Sequence, residues 1–178
     1  MSKPLLILDL DETLIRGEKA PLARPPDFVV RDKYFMYIRP GAEKFIQEMA
    51  RHYAIAFWSS SSRRYVGELL EGLLPTGFQP EFAWSVQECR QMLGAQGEFV
   101  HYVKDLDRVF DRGFSLARTL ILDNTQRKIM GHLDNHVPIS SYFAAPDDRV
   151  LAAAAAYLTS IADAPDFRLL DKSKWQLT

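Results

Sequence analysis

The chain of 178 residues is 47% hydrophobic and balances 22 basic against 23 acidic residues, for a formal net charge of −1. That length supports one well-buried core, so a single domain over residues 1–178 is expected, and the even charge excludes a general electrostatic grip on nucleic acid or an anionic membrane. The only cysteine, Cys89, rules out an intramolecular disulfide and suits a reducing compartment.

In chain order, Leu5 to Leu8 comes first: a continuous aliphatic run, as in a strand buried on both faces. It ends in "DLDET", Asp9 to Thr13. If the backbone stays extended through Asp11, the period of two puts Asp9 and Asp11 on one side. Two carboxylates in one small space repel, unless a cation lies between them or one serves as an acid and the other as a base. Asp9 also interrupts the apolar run too early for a signal peptide, and a cytoplasmic protein is expected. Gly17 to Arg39, with Pro21, Pro25 and Pro26, reads as a small β insertion of two short strands turning at Arg31 to Lys33. "RPG", Arg39 to Gly41, announces a helix over Ala42–Arg51. A strand at Ala54–Trp58 follows and ends in four serines, Ser59 to Ser62, which lead into a helix over Ser62–Leu73.

Lys104 stands in "YVKDL", ahead of a helix expected over Asp105–Phe110. The run Leu120–Leu122 ends in Asp123 and Asn124, Val137–Ile139 is a further strand, and a last helix is expected over Asp147–Ile161 with its acids at the favourable end of the dipole. Its alanine-rich stretch is far too short to span a membrane. Strands alternating with helices argue for an α/β fold with a mainly parallel sheet. Between Thr13 and Ser59 lie 45 residues and between Ser59 and Lys104 lie 44, which leaves no room for a large cap domain.

Ligands of open α/β sheets sit outside the carboxyl ends of the strands. Three strand ends here carry Asp9 with Asp11, Ser59 with Ser60, and Asp123 with Asn124. Taken singly, the serines could cap a helix, Lys104 could be solvated, and Asp-Asn is common turn chemistry. His52, His101, His132 and His136 share no metal-ligand spacing, and Cys89 has no histidine partner, so packing is its expected role.

Together, Asp-x-Asp-x-Thr, serine, lysine and Asp-Asn make a phosphoryl-transfer set. In these motifs the sequence resembles the haloacid dehalogenase superfamily of phosphatases. In "DLDETL", "RPGAEKFIQEM", "YVKDL", "LILDN" and "HLDNHVPI" it is similar to the small C-terminal-domain phosphatases, and "FWSS" with "LTSIADAPDFRLLDKSKW" looks closer to the ubiquitin-like-domain-containing phosphatase of that branch. The resemblance implies a Rossmann-like three-layer fold and an Mg²⁺-dependent phosphomonoesterase of phosphoserine or phosphothreonine proteins. It implies Asp9 as nucleophile through an aspartyl-phosphate and Asp11 as acid and base. Mg²⁺ would be held by the Asp9 side chain, the Asp11 carbonyl and the Asn124 side chain. Asp123 would be a further ligand or would orient Lys104 or a metal-bound water. Thr13, Ser59, Ser60 and Lys104 would hold phosphate or brace the loop that does. Tyr34, Tyr37, Arg63 and Arg64 are the expected groove residues for a phosphorylated protein or peptide. Val86 stands where the small phosphatases carry an arginine, a departure that bears on a polymerase-tail substrate. A small-molecule or nucleic-acid-end phosphatase and a catalytically silent scaffold are the alternatives.

Overall fold

The computed structural model describes residues 3–173 and 175; residues 1, 2, 174 and 176–178 of the expected domain lie outside the described residues. In chain order the elements are β1 (Leu5–Leu8), β2 (Ile15–Glu18), β3 (Phe28–Val30), β4 (Tyr34–Ile38), α1 (Ala42–His52), β5 (Ala54–Trp58), α2 (Arg63–Leu73) and β6 (Ala83–Trp84). They continue with β7 (Arg90–Leu93), β8 (Phe99–Val103), β9 (Thr119–Asp123), β10 (His136–Pro138) and α3 (Val150–Ile161). Five strands form one parallel sheet in the order β10-β9-β1-β5-β6. From β1 the chain winds outward through β5 and β6, then returns to β1's other edge and winds outward through β9 and β10. The winding therefore reverses between β1 and β9, and the crevice at their carboxyl ends is where such sheets bind ligands.

β1 is apolar at every position because both sheet faces are covered. Leu6 and Leu8 enter the core formed with α1, α2 and α3; Leu5 and Ile7 enter a second core with Trp58, Trp84, Leu106 and Ile121. Ala42, Phe45, Ile46 and Met49 form the buried stripe of α1 at helical spacing, and the Ser62 hydroxyl caps α2 by accepting from the Tyr65 N–H. The second face is closed by 3₁₀ turns in place of a full helix. The helix expected at Asp105–Phe110 is a 3₁₀ run over Leu106–Arg112. Its buried residues, Leu106 and Val109, are three apart and suit a three-residue turn, and Gly113 at φ 79° ends it.

The insertion has three strands, in the order β2-β4-β3, where two were expected. The extra strand, "IRGE", is too short and polar to stand out. β7 and β8 form an antiparallel hairpin that the pattern did not announce, since most of its side chains are exposed on both faces. α3 starts at Val150, later than expected, because Asp148 lies outside the helix, accepting from the Val150 N–H at 3.0 Å and binding Arg39. Among the described residues no helix is long and apolar enough to cross a membrane.

Candidate active site

Asp9 follows β1 directly, and its N–H continues the ladder by donating to the Leu122 carbonyl of β9 at 3.0 Å. Its carboxylate is almost wholly buried. Lys104 Nζ donates to Asp9 Oδ1 at 2.6 Å and to Asp123 Oδ2 at 2.6 Å, and Thr13 Oγ1 donates to Asp9 Oδ2 at 2.9 Å. The other Asp123 oxygen accepts from the Thr125 N–H at 2.7 Å. Lys104 is fixed from behind, its own N–H bonded to the Lys128 carbonyl at 2.8 Å. Burial, and then the neighbouring Asp123 charge, push the Asp9 pKa up to about 6 against the pull of Lys104 and Lys128. Burial alone would lower the Lys104 pKa, but Asp123 and Asp9 outweigh it and hold the ammonium above its ordinary range. The like charge that matters to Asp9 is thus Asp123, from another strand, and not Asp11.

Asp11 has different company. Ser59 Oγ and Ser61 Oγ donate to its Oδ2 at 3.0 and 3.1 Å, and Tyr65 OH donates to its Oδ1 at 3.0 Å. Ser59 is placed by the end of β5, where its N–H donates to the Trp84 carbonyl and its hydroxyl accepts from the Ser61 N–H. Tyr65 projects from the first turn of α2. Burial first, then Asp11, raise the Tyr65 phenol far above its usual range, so it stays a donor. The loop between the two acids is tight: the N–H groups of Thr13, Leu14 and Ile15 all turn back on the Leu10 carbonyl, and Glu12 sits at φ 60°.

The NLI interacting factor-like phosphatase family matches residues 4–168. The chain belongs to that family. It is 31% identical over 177 residues to a Dictyostelium discoideum protein named probable C-terminal domain small phosphatase, covering 95% of this chain and 54% of the relative. It is 29% identical over 182 residues to CTD nuclear envelope phosphatase 1B of Danio rerio, covering 94% of this chain and 71% of that one. The chain therefore spans about half the length of the Dictyostelium relative. The fission yeast RNA polymerase II CTD phosphatase Fcp1 bound to beryllium fluoride shares the fold, with a TM-score of 0.60 at 15% identity over 90% of this chain and 51% of that chain. The family and these relatives carry the names of phosphatases, hydrolases of the kind the sequence motifs imply.

A metal ion fits the donor set that this family member presents. Two buried carboxylates, Asp9 and Asp123, share one buried ammonium, which leaves surplus negative charge in a nearly dry space. Asn124 adds an amide oxygen, which among the described residues accepts only from the Thr125 hydroxyl, while its amide nitrogen donates to Ser141 Oγ at 2.8 Å and to Glu12 Oε2 at 3.5 Å. Hard oxygen donors and net negative charge are the chemistry of Mg²⁺ sites. A second cluster was hidden from the sequence spacing. His132 lies 3.2 Å from Asp105 and 3.8 Å from Asp107, and the three could hold a metal, although Arg90 already approaches Asp105 at 3.5 Å.

The other expected residues divide. Thr13, expected among the phosphate-binding groups, is fully buried behind Asp9 and holds it. Ser60 makes no side-chain hydrogen bond among the described residues, and Ser61 faces Asp11 instead. Tyr37 is not a groove residue: it is fully buried against Tyr142, accepts from the Leu22 N–H at 2.6 Å, and has the Arg24 guanidinium over its ring. It lies on the face of β4 opposite Tyr34 and Met36, where Tyr142 covers it in a small separate cluster. Tyr34 does line an open cavity beside Asp11. Arg63 and Arg64 are exposed and pair with Glu88 and Glu68. Cys89 is half-buried, and burial pushes its thiol up, away from nucleophile chemistry. His136 Nε2–H donates to the Asp123 carbonyl at 2.7 Å, and burial lowers its pKa, which favours the neutral imidazole behind Asp123.

Sequence reasoning missed Ser61, Tyr65 and Glu12 at the site, and Arg39 behind it. Arg39 is fully buried and its guanidinium donates to the Thr13 carbonyl, the Ser140 carbonyl and Asp148, which ties the acid loop to the start of α3.

Proposed function

We propose that the chain is a phosphomonoesterase that works through an aspartyl-phosphate on Asp9, acting on phosphoserine or phosphothreonine in proteins. The observation that carries this reading is the pair of acids at the sheet's switch point, one sharing Lys104 with Asp123 and the other held by three hydroxyls. Asp9, kept ionised by the ammonium, attacks phosphorus as the Asp9–phosphorus bond forms and the bond to the leaving oxygen breaks. Asp11 gives that oxygen its proton, then takes one from the water that attacks the aspartyl-phosphate. Lys104, and the Ser59 hydroxyl once it turns from Asp11 to the phosphate, would meet charge on the phosphoryl oxygens. Mg²⁺ would be held by the Asp9 side chain, the Asp11 carbonyl and the Asn124 side chain, and would supply charge neutralisation there.

A protein substrate is supported by the relatives' names and by the openness of the site, which is bounded on one side by Arg31 and Tyr34 of the small β insertion and, among the described residues, carries no large cap. The test is a profile of kcat/KM over an aryl phosphate, phosphoserine peptides, nucleotides and sugar phosphates, with and without a chelator. Turnover is expected to need Mg²⁺, to be abolished in Asp9→Asn and to favour peptides over metabolites. A sugar phosphate or nucleotide hydrolysed far faster than any peptide would replace the protein substrate with a metabolite. Full turnover by Asp9→Asn would end the mechanism.

A further inference from the structure

A cavity of about 330 Å³ opens beside Asp11, lined by Asp11, Arg31, Tyr34, Ser61, Ser62 and Tyr65. Asp11, Ser61 and Tyr65 belong to the proton-transfer network. Arg31 does not. It stands at the tip of the β3–β4 turn, where the Lys33 N–H donates to the Val30 carbonyl at 3.2 Å and Arg31 and Asp32 have φ of 55° and 50°. Two positive φ values in a row mark a turn whose central positions favour glycine, asparagine and aspartate, so an arginine there is held against its own backbone preference. Such an outlier points to a role for the side chain.

That side chain reaches from the insertion across to α2. Arg31 Nη2 donates to Ser62 Oγ at 3.2 Å, Nε lies 3.5 Å from Glu68 Oε2, and the guanidinium sits 5.8 Å from the Tyr65 ring centre. Glu68 is bound more closely by Arg64, at 2.7 Å. Arg31 Nη1 makes no hydrogen bond among the described residues. The guanidinium is therefore oriented by the protein without being used up by it, at the wall of a cavity that begins at the proton donor.

We propose that Arg31 is a specificity residue that binds an anionic side chain, a carboxylate or a second phosphate, lying within a few residues of the phosphoserine or phosphothreonine being hydrolysed. The inference rests on the protein phosphatase reading above. Asp11 serves the leaving oxygen, so the space beside it receives the leaving group, which for such a substrate is the peptide itself. A planar guanidinium with a free edge matches the paired oxygens of a carboxylate or phosphate. A peptide fits better than a nucleic-acid end because Tyr34 and Tyr65 meet edge to face, 6.1 Å apart at 74°, with Lys33 over the first ring and Arg31 over the second. A base would find no free parallel faces on which to stack.

The test compares matched phosphoserine peptides that carry glutamate, a second phosphoserine or alanine at each neighbouring position. In the wild-type chain with Mg²⁺, kcat/KM for the best acidic peptide is expected to exceed that for its alanine counterpart by roughly fivefold. In Arg31→Gly the ratio falls to about one, while Arg31→Lys retains part of it. Glycine accepts positive φ, so Arg31→Gly should melt at or above the wild-type temperature, which separates lost recognition from lost fold. A ratio near one in the wild type, or the full preference surviving in Arg31→Gly, overturns the proposal. An oligonucleotide with a terminal phosphate preferred over every peptide overturns it in favour of nucleic-acid ends. If the wild type fails to hydrolyse an aryl phosphate, the phosphatase reading itself falls, and this inference with it.

Discussion

Asp9 lies against a buried ammonium and Asp11 against three hydroxyls, although only Leu10 separates them in the chain. An ammonium offers donors and no acceptor, so Lys104 favours the ionised form of Asp9 and opposes the protonated one. A hydroxyl can donate or accept, so Ser59, Ser61 and Tyr65 can satisfy Asp11 with or without its proton, provided each O–H is free to rotate. One environment suits a nucleophile that must stay charged; the other suits a group that gives a proton and takes one back. The strand brings the two acids together, but groups from three other segments, after β8, after β5 and in α2, make them different.

Removing the cation should break this contrast with the largest effect. Lys104→Ala leaves Asp9 and Asp123 buried together without their shared cation, which is expected to cost about 3–5 kcal/mol of stability and to lower kcat about 10²- to 10³-fold at saturating Mg²⁺. Denaturant unfolding and steady-state kinetics check both. The double variant Lys104→Met with Asp123→Asn should recover much of the stability and none of the turnover, since it removes the repulsion without restoring the ammonium. Turnover regained together with stability would mean that Lys104 only supports the fold.

The pH dependence of stability sharpens the Asp9 side. Its folded pKa of about 6 lies above the ordinary 3.8. In the metal-free protein the contribution of Asp9 to stability is therefore fully present below about pH 4, and on the order of 3 kcal/mol of it is lost as pH rises through 6, where Asp9 must ionise in its buried place. Mg²⁺ binding to the ionised form releases that proton, so the gain in Tm on adding Mg²⁺ should be larger at about pH 7 than at about pH 5. In Asp9→Asn the difference should vanish. An equal gain at both pH values in the wild type would place the ion away from Asp9, with the Asp105, Asp107 and His132 cluster the next place to look.

The smallest effect belongs to one hydroxyl among three. Tyr65→Phe keeps the ring and removes a donor to Asp11, so stability should change by about 1 kcal/mol and kcat by roughly threefold. The informative readout is the leaving-group dependence of kcat/KM, in which the loss should be larger for an alcohol than for an acidic phenol, because the donor removed serves Asp11. An equal loss for both would show that Tyr65 does not act through proton transfer by Asp11.

The chemistry-bearing residues that stand at strand ends were legible, because an aliphatic run that stops in an acid or a serine marks its own boundary. Asp9, Ser59 and Asp123 are found where those runs end. Tyr65 was not legible, since its reach to Asp11 depends on how the first turn of α2 is aimed. Nor was Arg39, whose partners Ser140 and Asp148 lie more than a hundred residues away. Tyr37 was misread as a groove residue because composition shows an aromatic on the insertion but not which way the strand turns it. The β7–β8 hairpin has no buried face to leave a period, and β2 is too short to show one.

The division of labour between the two acids is tested most directly by kcat/KM of the wild type and Asp11→Asn over a series of phosphate monoesters with leaving groups from acidic phenols to simple alcohols. A leaving group that needs no proton makes a proton donor dispensable. Asp11→Asn is therefore predicted to stay within about tenfold of the wild type for the most acidic phenol and to fall about 10²-fold or more behind for the alcohol. The same loss across the whole series would contradict the account, for it would mean that Asp11 does something other than carry a proton to the leaving oxygen.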